Sequence, residues 1–300
     1  MIYRISVPAT SANMGSGFDC MGIALNMYNT FEVHSSSYPM HFEWVNNGYN
    51  ICEKENLVLS SIIDTLKDYN ISPPNCKIVM KECEIPISRG LGSSGAAIIA
   101  GVCIAHLLAK LPIDKNLILK KACEIEGHTD NVVPGVLGGM TISTKKGNDF
   151  IFSKVDFPDD LSFLAVIPPY TMDTKKSREV LPKSYERETC VSGIAKAALL
   201  INSFSKKDYS LLRDALDDQI HQPYRLPLLK DWDKIFTLMR STGSLGEFVS
   251  GSGSTLMGIY SKSSSINLDL FNSSLSKLES GFLSKLLDID NEGLKIEMIH

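Results

Sequence analysis

One glycine-rich stretch, which leads without a break into an apolar segment, constrains the fold of this chain more than any other feature. It reads PISRGLGSSGAAIIAG from Pro86 to Gly101, and the apolar run continues to Ala109. Glycines let main-chain N–H groups approach an anion, and the positive end of a following helix favours negative charge. The apolar run contains His106 and is too short to cross about 30 Å of hydrocarbon. The stretch therefore predicts a buried helix that starts at a loop suited to phosphate.

The glycine spacing leaves open which nucleotide such a loop would bind. A P-loop carries a lysine directly after its last glycine, and no Gly-Lys pair follows a glycine loop here. The segment Gly90–Gly95 does match the G-x-G-x-x-G spacing of dinucleotide-binding loops. Those loops are followed about twenty residues later by an acidic side chain, whereas Lys110, Leu111 and Pro112 stand at that distance. A nicotinamide oxidoreductase is therefore a weaker alternative.

A triphosphate bound without a loop lysine needs a divalent cation to balance its charge. Magnesium prefers one or two carboxylates together with hydroxyl and phosphate oxygens. Ser93 or Ser94 could supply the hydroxyl and Glu126 the carboxylate. The loop by itself does not decide for phosphate, because glycine-rich helix starts also allow close packing.

The overall composition excludes several classes of partner. The 30 basic and 34 acidic residues give a formal net charge of -4, without a long basic cluster, so we expect no nucleic-acid partner. The 7 cysteines are scattered and form no C-x-x-C pair, which favours free thiols in a reducing cytoplasm. The opening MIYRISVPAT lacks the apolar core of a signal peptide. We therefore expect a cytoplasmic protein without a membrane partner.

Local patterns predict strands and helices in two parts. Strands are predicted near residues 2–7 and 26–34, and helices from Asn56 to Tyr69, with Asn56 as N-cap, and from Asp114 to Glu126. The pattern breaks near Asp156–Asp160, which predicts a domain boundary. Beyond it, helices are predicted at about 187–203, 210–221 and 230–241, followed by strand, helix and strand. This order suggests a ferredoxin-like second half.

Six motifs follow one another along the whole chain. They are VPATSANMGSGFDCMGIAL (Val7–Leu25), PISRGLGSSGAA (Pro86–Ala97), EIEGHTDNVVPGVLGG (Glu124–Gly139), TKKSREVLP (Thr174–Pro182), HQPYR (His221–Arg225) and VSGSGSTLMG (Val249–Gly258). In this order they closely resemble the homoserine kinases, a family of the GHMP small-molecule kinase superfamily. Mevalonate kinases and galactokinases carry a lysine or arginine in an A-P-G-[KR] opening, whereas Pro8 is followed here by ATSAN.

The resemblance implies an α+β fold of two domains with the site between them. Residues 1–160 would form an N-terminal part similar to the second domain of ribosomal protein S5, and residues 161–300 a ferredoxin-like C-terminal part. The implied activity is ATP-dependent phosphorylation of L-homoserine to O-phospho-L-homoserine in threonine biosynthesis, with Mg²⁺ as cofactor and a homodimer as one possible assembly.

The resemblance also implies roles for individual residues. The ATP site would comprise Asn56 at the adenine and Pro86, Ile87, Ser88, Arg89, Gly90, Leu91, Gly92, Ser93, Ser94, Gly95 and Ala96 around the triphosphate. Ser94 and Glu126 would hold Mg²⁺. The hydroxyl and amino ends of homoserine would meet Asn13, Asp19, His128, Asp130 and Asn131, and its carboxylate would meet Thr174, Arg178 and Arg225. Asn13 and Asn131 would align the reacting hydroxyl as catalytic residues, and no general base is assigned.

Three positions depart from the family pattern, and one further alternative stays open. Ser16 and Ser254 stand where proline is usual, and Gly95 stands where serine or alanine is usual. These changes alter loop stiffness, so they bear on nucleotide affinity. A non-catalytic ligand sensor on the same fold is the other alternative, although such a protein would be expected to lose the loop serines or Glu126. His221 is predicted to be structural.

Overall fold

Two β-sheets, one in each half of the chain, organise the fold. The computed structural model describes residues 2–44, 55–147, 149–264, 266–278 and 281–299. The strands are β1 (Ile2–Ala12), β2 (Met21–Ser35), β3 (His41–Trp44), β4 (Cys76–Cys83), β5 (Met140–Lys146), β6 (Asp149–Val155), β7 (Leu161–Ile167), β8 (Gly246–Val249), β9 (Leu256–Ser261), β10 (Leu283–Leu287) and β11 (Lys295–Met298). The helices are α1 (Leu57–Asp68), α2 (Ser93–Leu108), α3 (Lys115–Glu126), α4 (Val132–Leu137), α5 (Thr174–Glu179), α6 (Arg187–Lys206), α7 (Leu212–Leu216), α8 (Gln222–Arg225), α9 (Trp232–Ser241) and α10 (Leu268–Leu275).

The first sheet has 7 strands and is built around the long antiparallel pair β1 and β2. Its path is β11-β1-β2-β4-β3, and β5 pairs with β2 further along that strand and with β6. Most pairs are antiparallel, while β3 runs parallel to β4. The register of β1 on β2 shifts between Pro8 and Ala9. The irregularity separates the regular part of β1 from the segment that reaches the site.

Helix α2 fills the centre of the first half. It packs against α1, α3 and β1, and its residues from Gly95 to His106 are almost all buried. A helix that is apolar on every side needs neighbours on every side, which explains why the apolar run predicted from sequence lies in the core. At Gly101, a Cβ atom would lie 2.6 Å from the Val58 carbonyl oxygen, so α1 and α2 approach each other at their backbones.

The second sheet has 4 strands in the order β10-β7-β9-β8, all antiparallel. Every residue of β7 is buried, which matches a sequence that is apolar at every position except Ser162. Helices α9 and α10 cover one face, where a second core forms around Phe236, Tyr260 and Phe271. The opposite face of the sheet joins the core of the first half through Phe163 and Met257.

The structure confirms the predicted N-cap of α1 and corrects one helix. The Asn56 side chain accepts hydrogen bonds from the Val58 and Leu59 amides, and Asp114 accepts one from Asn116. The helix predicted at 210–221 is wrong over its second part, because α7 ends at Leu216. The Asp218 carboxylate accepts the amides of residues 220, 221 and 222 and starts α8 instead.

The chain passes from the first sheet to the second between β6 and β7, near the boundary expected at residue 160. The last strand, β11, returns to the first sheet and pairs with β1. The division into residues 1–160 and 161–300 stays a prediction, and it would place β11 with the second part although its hydrogen bonds are to the first sheet.

Candidate active site

The candidate site is a pair of adjoining cavities; the polar one lies between the two halves, and the apolar one is lined by residues of the first half. One, of about 670 Å³, is polar, and the other, of about 680 Å³, is mostly apolar; Ser88, Ser93 and Ser94 line both. All eight residues that the family resemblance assigns to the amino acid line the polar cavity: Asn13, Asp19, His128, Asp130, Asn131, Thr174, Arg178 and Arg225. Asn56 lines the apolar cavity. The shared serines therefore lie where a triphosphate would connect a nucleobase to a second substrate.

The glycine-rich loop leaves the first amides of α2 available to an anion. Gly92, the N-cap of α2, has a left-handed backbone with φ of 71° and makes no side-chain cap. The first three N–H groups of a helix have no partner within the helix, and Ser93 and Ser94 line both cavities. At Gly90 a Cβ atom would collide with the Ser250 carbonyl oxygen. Only glycine allows this close approach of the loop to the second half.

Arg89 is the one cation of the loop, and its side chain is engaged away from the cavity. Its guanidinium donates to the carbonyl oxygens of Pro168 and Pro169, each at 2.9 Å. Its own carbonyl accepts the Thr255 amide at 3.1 Å, and the Ser88 carbonyl accepts the Met172 amide at 2.8 Å. Arg89 thus fastens the loop to the second half, and its guanidinium does not line either cavity.

A hydroxyl and a carboxylate lie together beside the first turn of α2. The Ser94 hydroxyl donates to Glu126 Oε1 at 2.7 Å, and the Glu126 side chain is only 8% exposed. Burial raises the pKa of Glu126. Among the described residues there is no cluster of three His, Cys, Asp or Glu side chains that could cage a metal. The pair fits Mg²⁺, which is held by few protein oxygens together with substrate phosphates.

His128 and Asp130 form a second pair on the same wall. His128 Nδ1 lies 2.9 Å from Asp130 Oδ1, and its Nε2 lies 3.6 Å from Glu126 Oε1. The hydrogen bond to Asp130 raises the pKa of His128. The His128 ring thus lies between two buried carboxylates, and the raised pKa favours its protonated form there.

The two candidate catalytic asparagines differ in how much of each amide is already engaged. Asn13 donates to the Gly251 carbonyl at 2.8 Å, and its Oδ1 accepts the Asp19 amide at 2.9 Å. Asn131 accepts one hydrogen bond at Oδ1, from the Thr10 hydroxyl at 2.8 Å. Asn13 therefore ties the two halves together, whereas Asn131 Nδ2 has no hydrogen-bond partner in the part of the chain that the structure describes.

Two oppositely charged side chains face each other across the mouth of the polar cavity. Arg178, on α5, donates to both carboxylate oxygens of Asp19 at 3.0 Å. Both side chains are about 40% exposed, with 41% for Arg178 and 38% for Asp19. Exposed pairs of this kind contribute little to stability, so a ligand can separate them at low cost. Thr174 lies beside them, with its hydroxyl 3.4 Å from that of Ser252.

Arg225 is a buried cation on the wall of the cavity. It is 2% exposed and makes no ion pair among the described residues. Its guanidinium donates to the carbonyls of Ser177 at 3.3 Å and Gly251 at 3.0 Å and lies 5.2 Å from the centre of the Phe18 ring. Burial lowers the pKa of Arg225 to about 10, which leaves it protonated at neutral pH. A buried cation without a protein anion is suited to an anionic ligand.

Some residues of the loop lie outside the cavities, and some lining residues were not expected. Pro86, Arg89, Leu91, Gly95 and Ala96 line neither cavity; Leu91 and Ala96 belong to the core. Gly251 and Ser252 of the VSGSGSTLMG motif, to which no site role was assigned from the sequence, line the polar cavity. Phe42 and Trp44 of β3 line the apolar cavity and lie in no motif.

Two family models and curated relatives match this chain. GHMP kinases N terminal domain matches residues 56–139, and GHMP kinases C terminal matches residues 197–268. The homoserine kinase of Clostridium kluyveri is 42% identical over 302 residues, which cover 99% of each chain. That of Clostridium novyi is 39% identical over 295 residues, or 98% of each chain. This chain belongs to the homoserine kinase family.

A solved member of the homoserine kinase family has the same fold. The enzyme from Cytophaga hutchinsonii aligns with a TM-score of 0.86 at 24% identity, over 99% of this chain and 97% of that one. The expected α+β fold of the GHMP kinases is thereby confirmed. Ser16 and Ser254, where the family pattern has proline, instead donate to the carbonyls of Ala215 and Tyr170, each at 2.8 Å.

The nicotinamide alternative does not agree with the sheet. A dinucleotide fingerprint lies between two parallel strands joined by its helix. Here α2 is followed by α3 and α4, and the next strand, β5, pairs antiparallel with β2.

The six described cysteines are free, as expected. None of the helices in the described part of the chain combines the length and apolarity that a membrane crossing requires.

Proposed function

We propose that this chain transfers the γ-phosphoryl group of ATP to the side-chain hydroxyl of L-homoserine and forms O-phospho-L-homoserine, the phosphorylation step of threonine biosynthesis. Family membership supports the reaction class, and the site supports the substrate. The observation that carries the proposal is Arg225, a buried cation on the wall of the polar cavity that makes no direct ion pair with any of the described residues. The carboxylate of an amino acid would form the ion pair that the Arg225 guanidinium lacks.

The charged groups of the polar cavity match a zwitterion. Homoserine would replace the contact between Asp19 and Arg178: Asp19 would bind its ammonium group and Arg178 its carboxylate. Thr174 lines the same cavity, within reach of that carboxylate. Guanidinium groups bind carboxylates in a planar, bidentate geometry. The opposite end of the amino acid, with its hydroxyl, would then point toward Asn131 and the start of α2.

The nucleotide would lie along both cavities. The apolar cavity, with Trp44 and Phe42, would bury the base, and the amides at the start of α2 would meet the phosphates. Ser94 and Glu126 would hold Mg²⁺, which supplies charge neutralisation of the phosphates. In the transfer, the homoserine oxygen bonds to the γ-phosphorus, the bond to the β–γ bridging oxygen breaks, ADP leaves with that electron pair, and the hydroxyl proton passes to solvent.

The reaction depends on positioning and charge, since phosphoryl transfer requires little covalent chemistry from the protein. No carboxylate is assigned as general base. His128 and Asp130 are hydrogen-bonded to each other, and Glu126 accepts a hydrogen bond from Ser94.

A homodimer, expected as one possible assembly, stays a prediction.

Steady-state kinetics with a substrate panel test the proposal. We expect ADP release with Mg²⁺, ATP and L-homoserine, and much slower release with L-serine, L-threonine, mevalonate or galactose. Activity on a sugar or mevalonate but not on homoserine would overturn the assignment. Binding of homoserine without ADP release would favour the ligand-sensor alternative.

Arg225 gives the sharpest test at one residue. Arg225→Ala removes the guanidinium, so we expect the KM for homoserine to rise about 100-fold, as for the loss of a charge-assisted contact, with little change in the KM for ATP. Arg225→Lys should recover only part of the loss, because lysine lacks the planar fork. The control is Arg187→Ala at the exposed start of α6. Equal effects on both substrates would contradict the placement.

A further inference from the structure

Thr10 is a buried polar residue between the polar cavity and the glycine-rich loop before α2 (Pro86–Gly92), which we call the phosphate loop. The proposed reaction does not yet give this residue a role. It lies in β1 and is 2% exposed. Its amide donates to the Leu91 carbonyl at 3.2 Å. Its hydroxyl lies directly against Gly92, where a Cβ atom would collide with Thr10 Oγ1. The backbone and side chain of one residue thus contact the loop that precedes α2.

The same hydroxyl determines which end of the Asn131 amide is free. Thr10 Oγ1 donates to Asn131 Oδ1 at 2.8 Å, and the structure gives that hydroxyl no other partner among the described residues. Asn131 lines the polar cavity. With its carbonyl oxygen held by Thr10, the amide presents its Nδ2 donor to the cavity. An amide nitrogen has no acceptor lone pair to offer.

We propose that Thr10 is a positioning residue that orients the Asn131 amide as a hydrogen-bond donor at the reacting centre and sets its distance from the phosphate loop. This inference rests on the proposed phosphoryl transfer. Negative charge spreads over the γ-phosphoryl oxygens in the transition state, so a fixed donor stabilises the transition state there. Asn131 therefore does not accept the hydroxyl proton.

One residue then fixes two elements around the γ-phosphoryl group. The loop that would hold the phosphates and the amide that would donate to the γ-phosphoryl oxygens are both bonded to Thr10. Displacement of a reacting group by about 1 Å costs about 100-fold in rate. Loss of the Thr10 hydroxyl should therefore act on kcat more than on substrate binding.

A matched pair of substitutions isolates that hydroxyl. Thr10→Val keeps the shape and the β-branch but removes the donor, and we expect kcat to fall about 10- to 100-fold with the KM for ATP and for homoserine within about threefold. Thr10→Ser keeps the hydroxyl and should restore kcat to within about threefold of the wild type. The unfolding midpoint of each variant is measured to verify folding. An unchanged kcat in a folded Thr10→Val would overturn the proposal.

Asn131 variants test the direction of the hydrogen bond. Asn131→Asp keeps an oxygen for Thr10 but loses the donor, so we expect kcat to fall about as far as in Asn131→Ala, by roughly 100- to 1,000-fold. Activity retained in Asn131→Asp would show that an acceptor is needed and would overturn the proposal.

A double-mutant cycle tests whether Thr10 acts through Asn131. In the Asn131→Ala background, Thr10→Val should have little further effect on kcat, because the group that it orients is gone. Fully additive effects would assign Thr10 an independent role and contradict the inference. The wild type is assayed in parallel: if it does not phosphorylate homoserine, the proposed function fails, whereas an active wild type with an unaffected Thr10→Val rejects only the positioning role.

Discussion

His221 is a motif residue that supports the site from behind. It is fully buried, its Nε2 lies 3.0 Å from the Gly15 carbonyl, and its Nδ1 lies 3.4 Å from Arg225 Nη1. Its ring stacks on Phe18 with the centroids 5.1 Å apart. A neutral ring that donates to Gly15 and accepts from Arg225 satisfies both contacts. The structural role expected for His221 from the sequence thus agrees with its position.

The burial of His221 should make stability depend on pH. Burial lowers the pKa of His221 to about 4 from an ordinary value of 6.5. Between these values the unfolded chain binds a proton that the native state does not, so the free energy of unfolding falls as pH falls through this window, by up to about 1.4 kcal/mol per pH unit from this group. Urea unfolding at pH 7.5, 6.0 and 5.0 measures the slope. His221→Gln should flatten it, and an unchanged slope would contradict the prediction.

At the scale of single residues, the motifs predicted which side chains form the site, because the chemistry of a site requires particular residue types. The eight predicted amino-acid-binding residues line one cavity although they come from four separate motifs. The contacts within that cavity could not be predicted. Arg89 was expected at the triphosphate, but its guanidinium donates to Pro168 and Pro169, since a long side chain can reach in several directions from one backbone position.

The start of α1 combines a structural role with a candidate binding role. Asn56 Oδ1 accepts the amides of Val58 at 3.0 Å and Leu59 at 3.3 Å, which leaves its Nδ2 as the group available to the apolar cavity. The cap could be predicted, because an asparagine directly before an apolar helical pattern is a strong start signal. Its side-chain orientation depends on the fold around it.

Two substitutions at Asn56 separate these roles. Asn56→Ser keeps a good N-cap but loses the amide donor, so stability should change little while the KM for ATP rises. Asn56→Ala should raise the KM for ATP similarly and also cost about 1 kcal/mol of stability. The KM for homoserine should stay near the wild-type value in both. If the KM for ATP is unchanged in Asn56→Ser, Asn56 serves only as a cap.

Helix α2 contains two glycines that should respond to alanine in opposite directions. At Gly95, where the family has serine or alanine, a Cβ atom would lie 3.5 Å from Asn131 Cβ, an ordinary contact. Gly95→Ala should therefore stabilise the protein by about 0.5 to 1 kcal/mol through helix propensity. At Gly101 the added atom would meet the Val58 carbonyl at 2.6 Å. Gly101→Ala should cost about 1 to 3 kcal/mol.

Thermal and urea unfolding of both variants, with turnover, check this pair. Turnover of Gly95→Ala should stay near the wild-type value, because the backbone amides at the start of α2 are retained. Destabilisation by Gly95→Ala would show that the glycine is needed for more than space.

At the scale of the whole molecule, the phosphate loop belongs to the first half by sequence and is held by the second half through hydrogen bonds. Arg89 provides two of these, to Pro168 and Pro169. Arg89→Met keeps most of the stem and removes the donors. We expect the KM for ATP to rise about 10-fold, with a smaller change for homoserine. Arg187→Met is the surface control, and an unaffected KM for ATP would contradict a role in holding the loop.

The pairing of distant strands was the part of the whole molecule that the sequence could not supply. The sequence pattern predicts a strand at the end of the chain, but nothing local indicates that this strand, β11, pairs with β1 at the opposite end of the chain. Register and partner are decided by long-range packing, while turns, caps and periodicity are local. The periodicity of the sequence by itself predicted a fold only for the second half of the chain. The resemblance to the homoserine kinases predicted the fold of the whole chain.

The ion pair between Asp19 and Arg178 determines how the cavity behaves when its amino-acid ligand is absent. Each charge already has a partner, so an incoming zwitterion exchanges one partner for another and adds no net charge. A hydroxy acid without an amine would occupy Arg178 and leave Asp19 alone, and an amine without a carboxylate would do the reverse. Because both side chains are about 40% exposed, the pair would give only a modest preference for ligands that carry both charges.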